Sequence, residues 1–220
     1  MNSLVELLKT ELQKTLPGTD VQWEMASSDR MMKDFPRVPG DDARVAAVLI
    51  LLYPFNGSVY TILMQRHNYN GVHGGQISLP GGKMEPSDEN IIQTALREAN
   101  EETGVDPEGI SVIGTLTPLF IPVSNTMVTP VVAWTNEKPA FNPQPEEVEF
   151  LINADINKFT DSSCIKIKPM KIRGEEHVVK YFDYEGYVIW GATAMILHEF
   201  LSILKGAHIT LPLNEPNIIS

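Results

Sequence analysis

Residues 46–53 form an apolar run of Ala, Val, Leu, Ile and Tyr with no polar break. A run this short and rich in branched aliphatics predicts a strand buried on both faces, spanning residues 43–53. Asn56-Gly57 follows, and residues 59–66 carry a second strand pattern. Asn-Gly between two such runs predicts a tight hairpin, because both residues tolerate positive φ. Upstream, Leu4, Leu8 and Leu12 recur every fourth position, which predicts an amphipathic helix over residues 3–16, stopped by Pro17-Gly18. Residues 18–42 show no period and include Pro36, Pro39 and Gly40, so an extended connector is expected there. Beyond the hairpin, Ile92, Ala95, Leu96 and Ala99 share one face of a helix expected over 89–103, with Gly104 placed to end it. Strand patterns follow at 111–119, 127–134, 147–151 and 177–184, then a helix over 192–205 closed by Gly206. Strands interleaved with helices at both ends and in the middle predict an α/β fold, a layered α/β/α domain with a mixed sheet. The expected organisation is a helix and connector over 1–42, the domain proper over 43–206 and a tail over 207–220.

Composition narrows the chemistry. With 17 basic and 28 acidic residues the chain carries a net charge of −11. Gripping a nucleic-acid backbone requires a Lys/Arg stripe, so no nucleic-acid partner is expected. Small anionic substrates stay open, since a divalent cation reverses the local sign of a site. Cys164 is the single cysteine, which excludes a disulfide framework and a thiolate zinc cluster. It has no basic neighbour in sequence and reads as a bystander. The run at 46–53 is far short of the roughly 20 residues a membrane helix needs. Glu6, Lys9 and Glu11 interrupt the first sixteen residues, so no signal-peptide core is present there. A cytoplasmic domain with no membrane partner is the expectation, and a homodimer is left open.

The chemistry concentrates in residues 82–105, GKMEPSDENIIQTALREANEETGV, preceded by a segment, 70–82, with five glycines in thirteen residues. On a helix, Glu98, Glu101 and Glu102 fall within a roughly 100° arc. Like charges at this spacing repel, and they sit in the last turn, where the helix dipole favours cations. A solvated acidic face is the plain explanation. A hard cation such as Mg²⁺ or Mn²⁺ would remove the repulsion, and the glycine-rich loop allows backbone groups to come close to a metal or phosphate.

This stretch resembles the signature box of the Nudix hydrolases, G-x5-E-x7-R-E-U-x-E-E-x-G-U, where U is aliphatic. Arg97-Glu98-Ala99-Asn100-Glu101-Glu102-Thr103-Gly104-Val105 matches the second half, and Glu89 stands eight residues before Arg97. Gly82 precedes Glu89 by seven residues instead of six, a spacing that resembles the coenzyme A diphosphatase branch. That branch carries a second pattern, approximately L-L-T-x-R-S-x3-R-x3-G-x3-F-P-G-G. Counting back from Pro80-Gly81-Gly82, Arg66 and Gly75 agree with it. Met64, His67, Gly71 and Leu79 replace its Thr, Ser, second Arg and Phe. The segments around His73, Gln76-Ile77-Ser78 and Trp190-Gly191 are also similar to the branch.

The resemblance implies a Nudix-like α/β/α sandwich that cleaves a nucleoside diphosphate linked to another moiety, water entering at phosphorus. Carried over by position, Glu98 and Glu102 would hold Mg²⁺ or Mn²⁺, with the Gly82 carbonyl as an additional ligand. Glu101 would be a further ligand or the base. Arg97 would orient the glutamates and pair with Glu89. Arg66, His73, Gln76 and Ser78 would contact the substrate, coenzyme A or acyl-coenzyme A, giving 4′-phosphopantetheine and adenosine 3′,5′-bisphosphate. Gly71 removes one cationic contact that this substrate would use. Nucleotide sugars or modified nucleoside triphosphates are the alternative substrates. A non-catalytic nucleotide sensor would be expected to lose box glutamates, which are all present here. An isopentenyl diphosphate isomerase would need a cysteine near the box, and Cys164 is far downstream. Outside the box, alternation along the expected strand places Glu147 with Glu149 on one face, and Glu147 is the choice for an auxiliary ligand or base after the proline-rich loop.

Overall fold

The alternation of side chains along the first strand sets the layers of the protein. In the computed structural model, which describes residues 2–31, 38–67 and 75–212, that strand is β1 (Arg44–Phe55). Ala47, Leu49, Leu51 and Tyr53 point to one side, where they pack with Ala95 and Ala99 of α3 (Ile91–Thr103). Ala46, Ile50 and Leu52 point to the other, where they join Leu4 and Leu8 of α1 (Asn2–Leu12) and Phe200 and Leu204 of α5 (Gly191–Gly206). Both faces of the strand are dry, which is what an uninterrupted apolar run demands. Leu8, with no exposed surface, contributes about 1.5–3 kcal/mol of burial in clamping α1 to the sheet.

The remaining elements are α2 (Gly18–Trp23), β2 (Ser58–Arg66), β3 (Ile77–Ser78), β4 (Gly81–Lys83), β5 (Ser111–Thr115), β6 (Leu119–Ile121), β7 (Thr126–Trp134), β8 (Val148–Asp155), α4 (Asn157–Thr160), β9 (Ile165–Ile172), β10 (Glu175–Tyr184) and β11 (Tyr187–Trp190). The larger sheet runs β3-β2-β1-β7-β5, with β4 on β1, β6 on β7 and β8 on β2. β1 and β7 are parallel and the other pairs antiparallel, so the sheet is mixed. With α3 on one face and α1 and α5 on the other, the α/β/α sandwich is realised. A separate three-stranded antiparallel sheet, β11-β10-β9, leads into α5.

Local signals act as expected in several places. Asn56 and Gly57 both take positive φ, 49° and 75°, and close the β1–β2 hairpin. Gly104, at φ 70°, ends α3 and returns its N–H to the Asn100 carbonyl. Three expectations are corrected. The stretch 18–42 is not an extended connector throughout, because α2 occupies its start. Trp23, Met25 and Ala26 are buried there. α1 stops at Leu12, short of the expected residue 16, and Pro17-Gly18 opens α2 instead of closing α1. A carboxylate with no exposed surface, Glu199 of α5, fixes that second helix by accepting from the Gly18 N–H at 3.1 Å, Gln22 Nε2 at 2.7 Å and Thr117 Oγ1 at 2.6 Å. Second, α3 starts at Ile91, two residues later than expected, because the Asn90 side chain caps it by accepting from the Ile92 and Gln93 N–H groups. Third, Glu147 is not on a strand. It lies in the turn before β8, its N–H bonded to the Gln144 carbonyl, so alternation does not aim it.

Candidate functional site

β4 brings two glycines under one turn of α3. Gly81, Gly82 and Lys83 pair with Val48, Ala47 and Ala46 of β1. Glu98 and Glu102, one turn apart on the helix, meet this short strand. The Glu102 Oε2 accepts from the Gly81 N–H at 2.7 Å. The Glu98 carboxylate lies where a side chain on Gly82 would begin, since a Cβ there would come within 2.5 Å of its Cδ and Oε1. Glycine at position 82 is therefore what lets the Glu98 carboxylate reach the strand backbone, while glycine at 81 is what lets β4 lie against β1.

Arg97 organises the outer side of the cluster. Its Nη1 donates to Glu98 Oε1 at 3.1 Å and to Glu101 Oε2 at 2.9 Å, and its Nη2 donates to the Lys83 carbonyl at 3.0 Å. The acid it holds in a two-pronged pair is Asp88, Nε to Oδ1 at 2.9 Å and Nη2 to Oδ2 at 3.0 Å. This corrects the expected pairing with Glu89, whose side chain is exposed. Asp88 is buried and further fixed by the Glu85 N–H and the Thr94 hydroxyl. The Arg97 guanidinium, with these donors, holds the Asp88 carboxyl well below the usual range. A signal for it was present: the sixth residue after Gly82 is Asp88, so counting forward from the glycine finds the acid that counting back from Arg97 misses.

Arg66, at the end of β2, forms the inner side. Its Nη1 donates to Glu102 Oε1 at 2.8 Å, and its Nη2 lies 3.9 Å from Glu147 Oε2. Glu147 is thus close to the cluster, although from a turn. The Glu102 side chain is 2% exposed, and burial pushes its carboxyl from its ordinary 4.5 up to about 7 despite Arg66 and the Gly81 N–H. Burial also raises Glu98, against the pull of Arg97. Glu101 and Glu147 are exposed. Gln76 and Ser78 lie beside the same end of β2: the Arg66 N–H donates to the Gln76 carbonyl, and Ser78 is opposite Met64. The Ser78 Oγ is buried with no hydrogen-bond partner among the described residues. His73 and Gly71 lie outside the described residues. Thr193 of α5 donates to the Ile77 carbonyl, placing the Trp190-Gly191 segment near β3.

The donors around Gly81-Gly82 are hard carboxylate oxygens, which suit Mg²⁺ or Mn²⁺. No group of three or more His, Cys, Asp or Glu side chains among the described residues is gathered to hold a metal, and two arginines are interleaved with the glutamates. The fit lies in two desolvated carboxylates facing a strand without side chains, where a cation would favour their ionised forms.

Stability should register this desolvation in chelator. Because Glu102 binds its proton more tightly in the folded state than in the unfolded chain, native stability falls as pH rises from about 4.5 to about 7. Glu102→Gln is expected to be the more stable protein at about pH 8, by roughly 3 kcal/mol, with the difference vanishing toward about pH 4. Denaturant melts across that range check it; parallel curves for the two proteins would refute it.

A family model described as the NUDIX domain matches residues 43–160, a span that contains β1 to β8 and the whole α3 cluster. Nudix hydrolase 22, chloroplastic, of Arabidopsis thaliana is 40% identical over 159 residues, covering 69% of this chain and 52% of that protein. An uncharacterized Nudix hydrolase, NudL, of Photorhabdus laumondii is 32% identical over 164 residues, covering 74% of this chain and 87% of its own length. The chain thus aligns with only about half of the plant relative. Among solved structures, a C. elegans Ap4A hydrolase binary complex superposes with a TM-score of 0.51 at 18% identity, over 74% of this chain and 98% of that one, a likeness of fold. No helix among the described residues is long and apolar enough to cross a membrane. By its matched domain, its glutamate cluster and its sandwich, the chain belongs to the Nudix hydrolase family.

Proposed function

We propose that this chain is a metal-dependent hydrolase of a diphosphate bond in a nucleoside diphosphate derivative. The observation that carries the reading is the placing of Glu98 and Glu102, one helical turn apart, over the bare backbone of Gly81-Gly82. Glu98 and Glu102 would hold Mg²⁺ or Mn²⁺, with the Gly82 carbonyl and Glu101 as further ligands. When bound, the cation supplies charge neutralisation on the diphosphate and acidifies a water. Arg97 restrains Glu98 and Glu101 against their mutual repulsion, and is itself fixed by Asp88. Glu101 and Glu147, both exposed to solvent, are the groups that can take the water's proton. Glu147→Ala should change the pH profile of kcat; wild-type kinetics at every pH would remove it from the reaction.

Two substrate readings divide the class. The segment 62–82 and the Gly82–Glu89 spacing support coenzyme A or acyl-coenzyme A. Gly71 in place of that branch's arginine, and the engagement of Arg66 with Glu102, support a substrate with fewer phosphates to hold, a nucleotide sugar, or a modified nucleoside triphosphate recognised mainly through the metal. Losing one charge-assisted phosphate contact costs about 1.5–3 kcal/mol, roughly ten- to a hundredfold in affinity. Chromatography of products from a panel of these compounds with Mg²⁺ or Mn²⁺ is the test. Adenosine 3′,5′-bisphosphate from coenzyme A, at high KM, supports the first reading, and cleavage confined to nucleotide sugars or triphosphates supports the second. Saturable binding with no turnover of any member would overturn the hydrolase and leave a nucleotide sensor.

A further inference from the structure

Each carboxylate of the cluster is met by an arginine. Arg97 engages Asp88, Glu98 and Glu101, while Arg66 engages Glu102 and approaches Glu147. With all five carboxylates ionised, the two guanidiniums would leave the cluster three charges negative, so it is attractive to a divalent cation. The two arginines are not equivalent. Arg97 is locked in a two-pronged pair with buried Asp88 and bonded to the Lys83 carbonyl. Arg66 stands at the last position of β2, next to a register shift between Gln65 and Arg66, and its Nη2 lies 3.9 Å from Glu147 Oε2. Both oxygens of Glu102 are occupied, Oε2 by the Gly81 N–H and Oε1 by Arg66. The Gly81 donor is strand backbone, held in place by the pairing of β4 with β1. The Arg66 bond can leave by rotation of a side chain.

We propose that Arg66 is a built-in counter-ion at Glu102, which a divalent cation must displace in order to be held by Glu98 and Glu102, and that the displaced guanidinium is what then contacts the diphosphate. The inference rests on the metal-dependent reading above. A guanidinium on Glu102 Oε1 and a divalent cation on the same carboxylate would repel strongly in a half-buried site. Exchange of one for the other keeps the buried Glu102 charge compensated at every stage, avoiding an unpaired carboxylate in the core. It also makes Arg66 a substrate-binding residue whose availability to an anionic substrate depends on cation loading.

The test is Mn²⁺ binding to the whole chain without substrate, by calorimetry. Two buffers of different protonation enthalpy separate cation-for-proton exchange from cation-for-guanidinium exchange. Arg66→Gln is expected to bind Mn²⁺ about tenfold more tightly than wild type, since no guanidinium has to be displaced. It should also show a higher KM for whichever panel compound is cleaved. Arg66→Lys, with a compact charge that cannot span Glu102 and Glu147 together, should fall between the two in Mn²⁺ affinity, and decides the matter if Arg66→Gln fails to fold. A merely structural arginine would weaken Mn²⁺ binding and raise KM together. Unchanged or weaker Mn²⁺ binding in a folded Arg66 variant would overturn the proposal. Glu98→Gln serves as the separate control: if it binds Mn²⁺ as wild type does, the metal reading itself fails, whatever Arg66 does.

Discussion

Glu98→Gln is expected to lower turnover about a thousandfold while leaving the fold intact, and excess chelator is expected to do the same to the wild-type protein. The expectation follows from where Glu98 lies. Its carboxylate fills the space over Gly82, partly desolvated, and among the described residues its charge partner is an arginine already shared with Asp88 and Glu101. Glutamine keeps the length of the side chain and can still accept from Arg97, so packing is preserved. It gives up the negative charge that a cation needs. Removing that charge also relieves repulsion from Glu101 and Glu147, so the melting temperature should hold or rise slightly. Steady-state kinetics alongside a thermal melt separate the two effects. Wild-type turnover in the folded variant, or full activity in chelator, would refute the role of Glu98 and the metal dependence respectively.

How much of this could be seen in the chain depends on how local each determinant is. The apolar run of β1, the Asn56-Gly57 hairpin and the Ala95/Ala99 face of α3 are each decided within a few residues, and pattern alone finds them. Strand pieces of two or three residues escape any periodicity. β4 is Gly-Gly-Lys and forms only because β1 offers an edge at Ala46 to Val48. β9, Ile-Lys-Ile-Lys-Pro-Met-Lys-Ile, has an alternating pattern, but Pro169 and its lysines disguise it as a loop. For the site, the glutamates of the helix were legible because they sit on one turn. The pairing of Arg66 with Glu102 spans 36 residues, and nothing in the spacing of a sequence states that a strand end will face a helix end. Asp88 was hidden for another reason. Two adjacent acids, Asp88 and Glu89, offered themselves to Arg97, and only the buried position, with the Glu85 N–H and the Thr94 hydroxyl already turned toward it, selects between them.

The two glycines of β4 should respond to the same substitution in opposite ways. Gly81→Ala is expected to destabilise the protein by about 4 kcal/mol or more, enough to unfold much of it. Gly81 has φ 153°, a conformation that L side chains rarely adopt, and a Cβ there would lie 2.6 Å from the Val48 Cα, with the Ala47 carbonyl oxygen closer still. Those are backbone atoms of the central strand, held by β7 on the other side, so nothing nearby can yield. At Gly82 the three atoms nearest the added carbon all belong to the end of the Glu98 side chain. A flexible carboxylate can swing away at little cost, so Gly82→Ala should stay within about 1 kcal/mol of wild-type stability. It should lose roughly a hundredfold in kcat/KM, because the carboxylate is moved by an ångström or more from its place over the strand. Denaturant melts and steady-state kinetics on the pair give both readings. A stable Gly81→Ala would mean that β4 does not pack on β1 as described. A fully active Gly82→Ala would mean that Glu98 does not work from above Gly82.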